Sequence, residues 1–182
     1  MKIKIFIVLF FAAILLTAGC SIGGRWEKYS SADGRFSVHI PGEPIGNKVI
    51  IDTDFGRTYL YIYMLNKKDD NFAYSVSYFD YPLGVLQEKT IDRALDDARD
   101  GAVANIGGVL VSESKISMGK YPGREITIDV ANGVAFVKIK LFLANKRLYQ
   151  ATVTTSKEKS TSNNLRRFLK SFEILEEQAL RR

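Results

Sequence analysis

The chain has 182 residues, 46% hydrophobic and 25% charged, a composition that suits one domain with a real core and excludes a disordered chain or a multi-span membrane protein. With one Cys and one His, no intramolecular disulfide can form, a structural zinc site lacks ligands, and any nucleophilic triad would have to be built on His39. The formal net charge is +6, but the basic residues are scattered and no tract is dense enough to suggest a nucleic-acid partner.

Lys2 and Lys4 precede an uncharged run from Ile5 to Gly19 that ends in small side chains, the layout of a secretory signal. The run is shorter than the roughly 20 apolar residues a membrane span needs. Leu16-Thr17-Ala18-Gly19-Cys20 resembles the lipobox of bacterial lipoproteins, with Thr17 at the place usually held by Leu. That resemblance implies removal of residues 1–19, acylation of Cys20 and a short tether over 20–25; an ordinary signal peptide or an uncleaved anchor is the alternative. Two or three acyl chains, palmitate among them, would hold the domain at a membrane outside the cytoplasm, since one chain alone is marginal. Ser21 in place of the Asp that retains lipoproteins at the inner membrane favours the periplasmic face of the outer membrane, if the cell is Gram-negative. Loss of Lys2 and Lys4 would leave 24 basic against 20 acidic residues, a mature charge of +4.

Residues 36–40 alternate, with Phe36, Val38 and Ile40 on one face and His39 on the other, as in a half-buried strand. Pro41 and Pro44 stop it. Strands follow over 47–52, 58–65 and 72–80. Thr90 opens a helix as its N-cap, Ile91, Ala94, Leu95, Ala98, Ala102 and Ile106 recur at helical spacing, and Gly107-Gly108 ends it. Four more strands are expected over 109–118, 124–130, 134–143 and 147–155. Asn132-Gly133 gives a tight-turn signal and Asn145-Lys146 a weaker one. Ser160 to Asn163 offer N-caps for a last helix striped by Leu165, Phe168, Leu169 and Phe172, after which residues 176–182 read as a frayed tail. No linker divides the chain, so 26–175 reads as a single α+β domain, an antiparallel sheet flanked by helices.

This order resembles a PsbP-type protein, of the PsbP/Mog/DcrB superfamily. The resemblance rests on Asp33-Gly34-Arg35-Phe36-Ser37-Val38 before Pro41-Gly42, the helix before Gly107-Gly108, the turn Tyr121-Pro122-Gly123-Arg124-Glu125 and the closing Phe168-Leu169-Lys170-Ser171-Phe172. It implies an α/β/α sandwich and, for most members, a non-enzymatic binding or assembly role. None of these segments is a catalytic signature, and no cofactor or metal site is carried over.

Several groups of residues could carry function. Asp92, Asp96, Asp97 and Asp100 lie on adjacent helical turns but share their helix with Arg93 and Arg99, which suits a solvated face better than a cation site. His39 has no Gly-X-Ser-X-Gly elbow to serve and reads as a strand residue. Tyr59, Tyr61 and Tyr63 share one face of a strand and are either core or an aromatic ladder for a partner. Asp80-Tyr81-Pro82-Leu83-Gly84 and the segment around Arg124 sit where strands give way to loops, where binding residues gather, unless Arg124 merely pairs with an acid such as Asp80 or Glu125. The candidate interaction surface is therefore Tyr59, Tyr61, Tyr63, Asp80, Tyr81 and Arg124. The functional expectation is a binding accessory domain for an envelope protein; the alternatives are a small-ligand carrier or a hydrolase of envelope polymers using two carboxylates.

Overall fold

The computed structural model describes residues 24–53, 56–82, 84–88 and 90–176; the leader, Cys20 and the tail beyond 176 lie outside them. Ten strands are present among the described residues: β1 (Glu27–Ser31), β2 (Phe36–Ile40), β3 (Ile45–Thr53), β4 (Gly56–Lys67), β5 (Phe72–Asp80), β6 (Val109–Met118), β7 (Tyr121–Val130), β8 (Ala135–Ala144), β9 (Arg147–Thr155) and β10 (Glu173–Ile174). The helices are α1 (Val85–Glu88), α2 (Ile91–Ile106) and α3 (Asn163–Ser171). A seven-stranded antiparallel sheet runs β3-β4-β5-β9-β8-β7-β6, and a separate small sheet runs β1-β2-β10. This is the α+β arrangement expected. None of the described helices is long and apolar enough to cross a membrane.

Period-two patterning decides which side chains go to which face of the large sheet. On one face Ile126 and Ile128 of β7 and Ile139 and Leu141 of β8 meet Ala94, Leu95 and Ala102 of α2. The Thr90 hydroxyl caps this helix by accepting from the Arg93 amide at 3.2 Å, and Gly107 ends it at φ +67°, a left-handed turn open to glycine. On the other face Phe72, Tyr74, Val76 and Tyr78 of β5 and Tyr149, Ala151 and Val153 of β9 meet Phe36, Val38 and Ile40 of β2 and Leu165, Phe168 and Leu169 of α3. Ser162 caps α3 through the Leu165 amide. The second outer layer is therefore a small sheet and a helix side by side.

Three elements carry little sequence signal. Strand β1 is largely exposed and forms by pairing with β2, β10 is two residues long, and α1 is a single turn. The connection expected to be tight at Asn132-Gly133 is a wider turn, in which Ala131, Asn132 and Gly133 all have positive φ and the Asp129 carboxylate accepts from the Gly133 amide at 2.6 Å. Asn145-Lys146 is the two-residue turn, with Asn145 at φ +55°. Gly24 packs so closely on Pro41 that a side chain there would meet the Pro41 carbonyl oxygen at 2.6 Å. It therefore lies at the end of the small sheet where β1 begins and β2 stops.

Candidate functional site

A cleft of about 750 Å³ opens at the other end of the sheets, where the β1–β2, β6–β7 and β8–β9 turns meet the chain leaving β10. Its charged lining is Arg35, Lys120, Lys146 and Arg147 against Asp80 and Glu176, four cations to two acids. At its base Asp80 and Arg147 are direct cross-strand neighbours of β5 and β9. Arg147 donates to both Asp80 oxygens at 2.6 and 3.1 Å and to the carbonyls of Asp33 and Gly34 at 2.9 and 3.3 Å, while its guanidinium lies 4.4 Å over the Tyr78 ring. Burial works against its charge, but the hydrogen bonds and field of Asp80 carry its pKa above the usual arginine range. Tyr149 donates to the Gly34 carbonyl at 2.8 Å, and burial pushes its hydroxyl pKa up. These contacts clamp the β1–β2 turn to the large sheet and hold Arg35 at the cleft.

The rim is looser. Lys120 pairs with Glu176 at 3.2 Å and Lys146 reaches Asp80 at 4.0 Å, each lysine side chain well over half exposed. The hydrogen bond to Glu176 raises the Lys120 pKa. The arrangement offers exposed positive charge over a hydrogen-bonded, partly aromatic base, suited to an anionic group.

The expected surface residues divide. Asp80 lines the cleft. Tyr59 is exposed, with the Lys48 ammonium 3.9 Å from its ring centroid. Tyr61 stacks on Tyr78 of the same sheet at 4.8 Å, and Tyr63 meets Phe36 of the small sheet edge-on at 5.4 Å; both are half-buried. Tyr81 is buried against Phe79 and the α2 core. His39 is partly buried on β2, and its amide donates to Ser171 at 2.8 Å.

Arg124 is the clearest departure from a surface role, being 3% exposed beneath α2. It shares the inward face of β7 with Ile126 and Ile128; that parity is the sequence signal for its burial. Its acids are Asp92 at 2.7 Å, Asp96 at 3.2 Å and Glu113 at 3.1 Å, not Asp80 or Glu125. Glu125 instead pairs with Lys138 and Lys140. The acidic helix face is thus partly turned onto the sheet, with Arg99 joining Glu113, Asp96 and Asp100 and with Lys115 on Asp92. No group that could hold a metal is found among the described residues.

Hydrogen bonds from Arg124 and Lys115 hold the Asp92 carboxyl below its usual value of 3.8, and Arg99 does the same for Asp100. A carboxylate depressed in the folded state contributes stability above its unfolded pKa and loses it as pH falls through the folded one. The urea midpoint should therefore fall as pH drops below about 3.8. Asp92→Asn should make that fall shallower; an equal slope in both proteins would show that this pairing does not couple α2 to the sheet.

No family model matches the chain, and no curated protein does. Among solved structures, cyanobacterial PsbP (CyanoP) from Synechocystis is similar with a TM-score of 0.56 and 13% identity, over 86% of this chain and 96% of that one. A Bacteroides thetaiotaomicron protein is similar at a TM-score of 0.48 and 12% identity, over 84% of this chain and 50% of that one. The first likeness covers most of both chains, and the fold is PsbP-like.

Proposed function

We propose that this chain is a lipid-anchored lipoprotein of the bacterial envelope whose domain, an α/β/α sandwich of the PsbP/Mog/DcrB superfamily, acts as a non-enzymatic binding or assembly module. Its partner is an envelope protein that presents an acidic segment to the turn-end cleft. The observation that carries this reading is the cleft's excess of cations, two of them on an exposed rim. A carboxylate hydrolase needs one acid free to donate a proton and a second as base or nucleophile. Here Asp80 is held in a two-point pair with Arg147, and Glu176 is paired with Lys120. A carrier of apolar ligands would want an apolar pocket, and this lining is charged. The anchor rests on the lipobox-like Leu16 to Cys20.

Two readouts in the producing cell test the proposal. Palmitate label should enter the wild type and be lost in Cys20→Ser. Crosslinking in intact cells should yield a reproducible protein adduct that Lys120→Glu/Lys146→Glu abolishes. Absence of label overturns the anchor, and an adduct indifferent to the charge reversal overturns the cleft as the binding site.

A further inference from the structure

A strand at a sheet edge presents unpaired backbone groups to any other strand, and proteins usually blunt such edges with bulges, charges or proline. The two edges of the large sheet differ in this respect. Both edges carry charges, but strand β6 also slips register between Leu110 and Ser112, the kind of irregularity that blunts an edge. Strand β3 pairs with β4 in unbroken register over all nine residues and contains no proline. Both edges expose large apolar side chains, Val109 and Val111 on β6 at 70% and 57% and Ile45, Val49 and Ile50 on β3 at 71%, 40% and 58%.

The sequence of this open edge is antisymmetric in charge about Ile50: Asn47-Lys48-Val49-Ile50-Ile51-Asp52-Thr53. We propose that β3 is a homodimer edge, on which a second copy of this chain pairs antiparallel about a two-fold axis at Ile50. That register sets Ile50 opposite Ile50, Val49 opposite Ile51, Lys48 opposite Asp52 and Asn47 opposite Thr53, and the symmetry makes every unlike pair twice. Opposite charges and β-branched residues directly across a ladder are the favourable cross-strand pairs. Moving the centre by one residue to Val49 would leave Lys48 facing Ile50 and Asp52 facing Gly46, so the charges select one register. Both charges stand on the tyrosine side of the sheet. Lys48 lies 3.9 Å over the Tyr59 ring, and Asp52, 82% exposed, keeps room for a second cation beside Arg57. The product is one continuous sheet of fourteen strands, seven from each copy.

The test uses the full chain carrying Cys20→Ser, so that an introduced thiol is the only one. Directly opposed residues lie about 4.5–5.5 Å apart at Cα, within the span of a disulfide. Under mild oxidation Ile50→Cys should form a dimer. Asn47→Cys alone should not, and a mixture of Asn47→Cys with Thr53→Cys should. Adding Asp52→Lys to Ile50→Cys should cut the disulfide yield about tenfold by placing like charges opposite each other twice. Adding Lys48→Asp as well should restore it, with circular dichroism confirming that each variant is folded. No Ile50→Cys dimer, an equal yield from Asn47→Cys alone, a failed charge-swap rescue, or crosslinks only to a different protein would each overturn the proposal.

Discussion

Phe36→Ala should lower stability by about 3–5 kcal/mol, as expected when a fully buried aromatic is truncated. The measurement is a urea unfolding curve, in which the midpoint falls while the slope is kept. Phe36 is 0% exposed, and its ring meets Tyr29 at 6.2 Å, Tyr63 at 5.4 Å, Tyr78 at 6.4 Å and Phe172 at 6.1 Å. Those four residues belong to the small sheet, to two strands of the large sheet and to the segment after α3. One ring therefore joins four pieces of chain, and the cavity left by its removal would border all of them, with little scope for collapse. Domains of this kind are stable by only about 5–15 kcal/mol, so the loss would be a large share of the total. A change below about 1 kcal/mol would mean that the small sheet is held by something other than this ring.

Arg147→Met should cost about 2–3 kcal/mol, reduced from the 3–5 typical of breaking a buried pair because both side chains keep some contact with water. The side chains of Arg147 and Asp80 are 22% and 34% exposed. The substitution leaves Asp80 without its two-point partner and frees the carbonyls of Asp33 and Gly34. Arg147→Lys should rescue little, because an ammonium cannot reproduce the planar fork that serves a carboxylate and two carbonyls while lying on Tyr78. The β1–β2 turn should loosen in both variants, which hydrogen exchange at Gly34 and Arg35 would report. A lysine variant as stable as the wild type would show that charge alone, and not the fork, secures the turn.

The elements with strong periodicity were legible in the sequence. Strand β5 alternates in sequence and in burial, and α2 has a capping Thr90 and a closing Gly107, so there local patterning and tertiary burial agree; β2 alternates in sequence but buries Ser37 as fully as Phe36, Val38 and Ile40, so it is not the half-buried strand expected. Strand β1 was not legible, because Glu-Lys-Tyr-Ser-Ser has no alternation and is a strand only through its register with β2. Strand β10 depends on Glu173 and Ile174 finding Ser37 and Phe36 across most of the chain. The cleft escaped for the same reason: Arg35, Asp80, Lys120 and Arg147 come from separate turns and strand ends, and only sheet topology brings them together. The sequence places Asp80 where a strand gives way to a loop, but its opposition to Arg147 is a matter of β5–β9 register. Pro122 and Gly123 beside Arg124 signal a turn and so point its side chain toward the surface. The strand already begins at Tyr121, and Gly123 packs so tightly on Leu141 and Phe142 that it has no room for a side chain.

The position of Gly24 beside Pro41 bears on how the domain would stand at a surface. Strand β5 runs from Phe72, at the end of the sheets near Gly24, to Asp80 in the cleft, and nine residues at about 3.4 Å each span roughly 30 Å. In the tethered chain proposed above, the lipid would be attached at one pole and the cationic mouth would lie at the other. The mouth would then be aimed away from the bilayer's own phosphates, which would otherwise compete for the same lysines. With only a few residues between Cys20 and Gly24, that pole would stay close to the membrane, and the mouth's reach toward a partner would be set by the length of a strand.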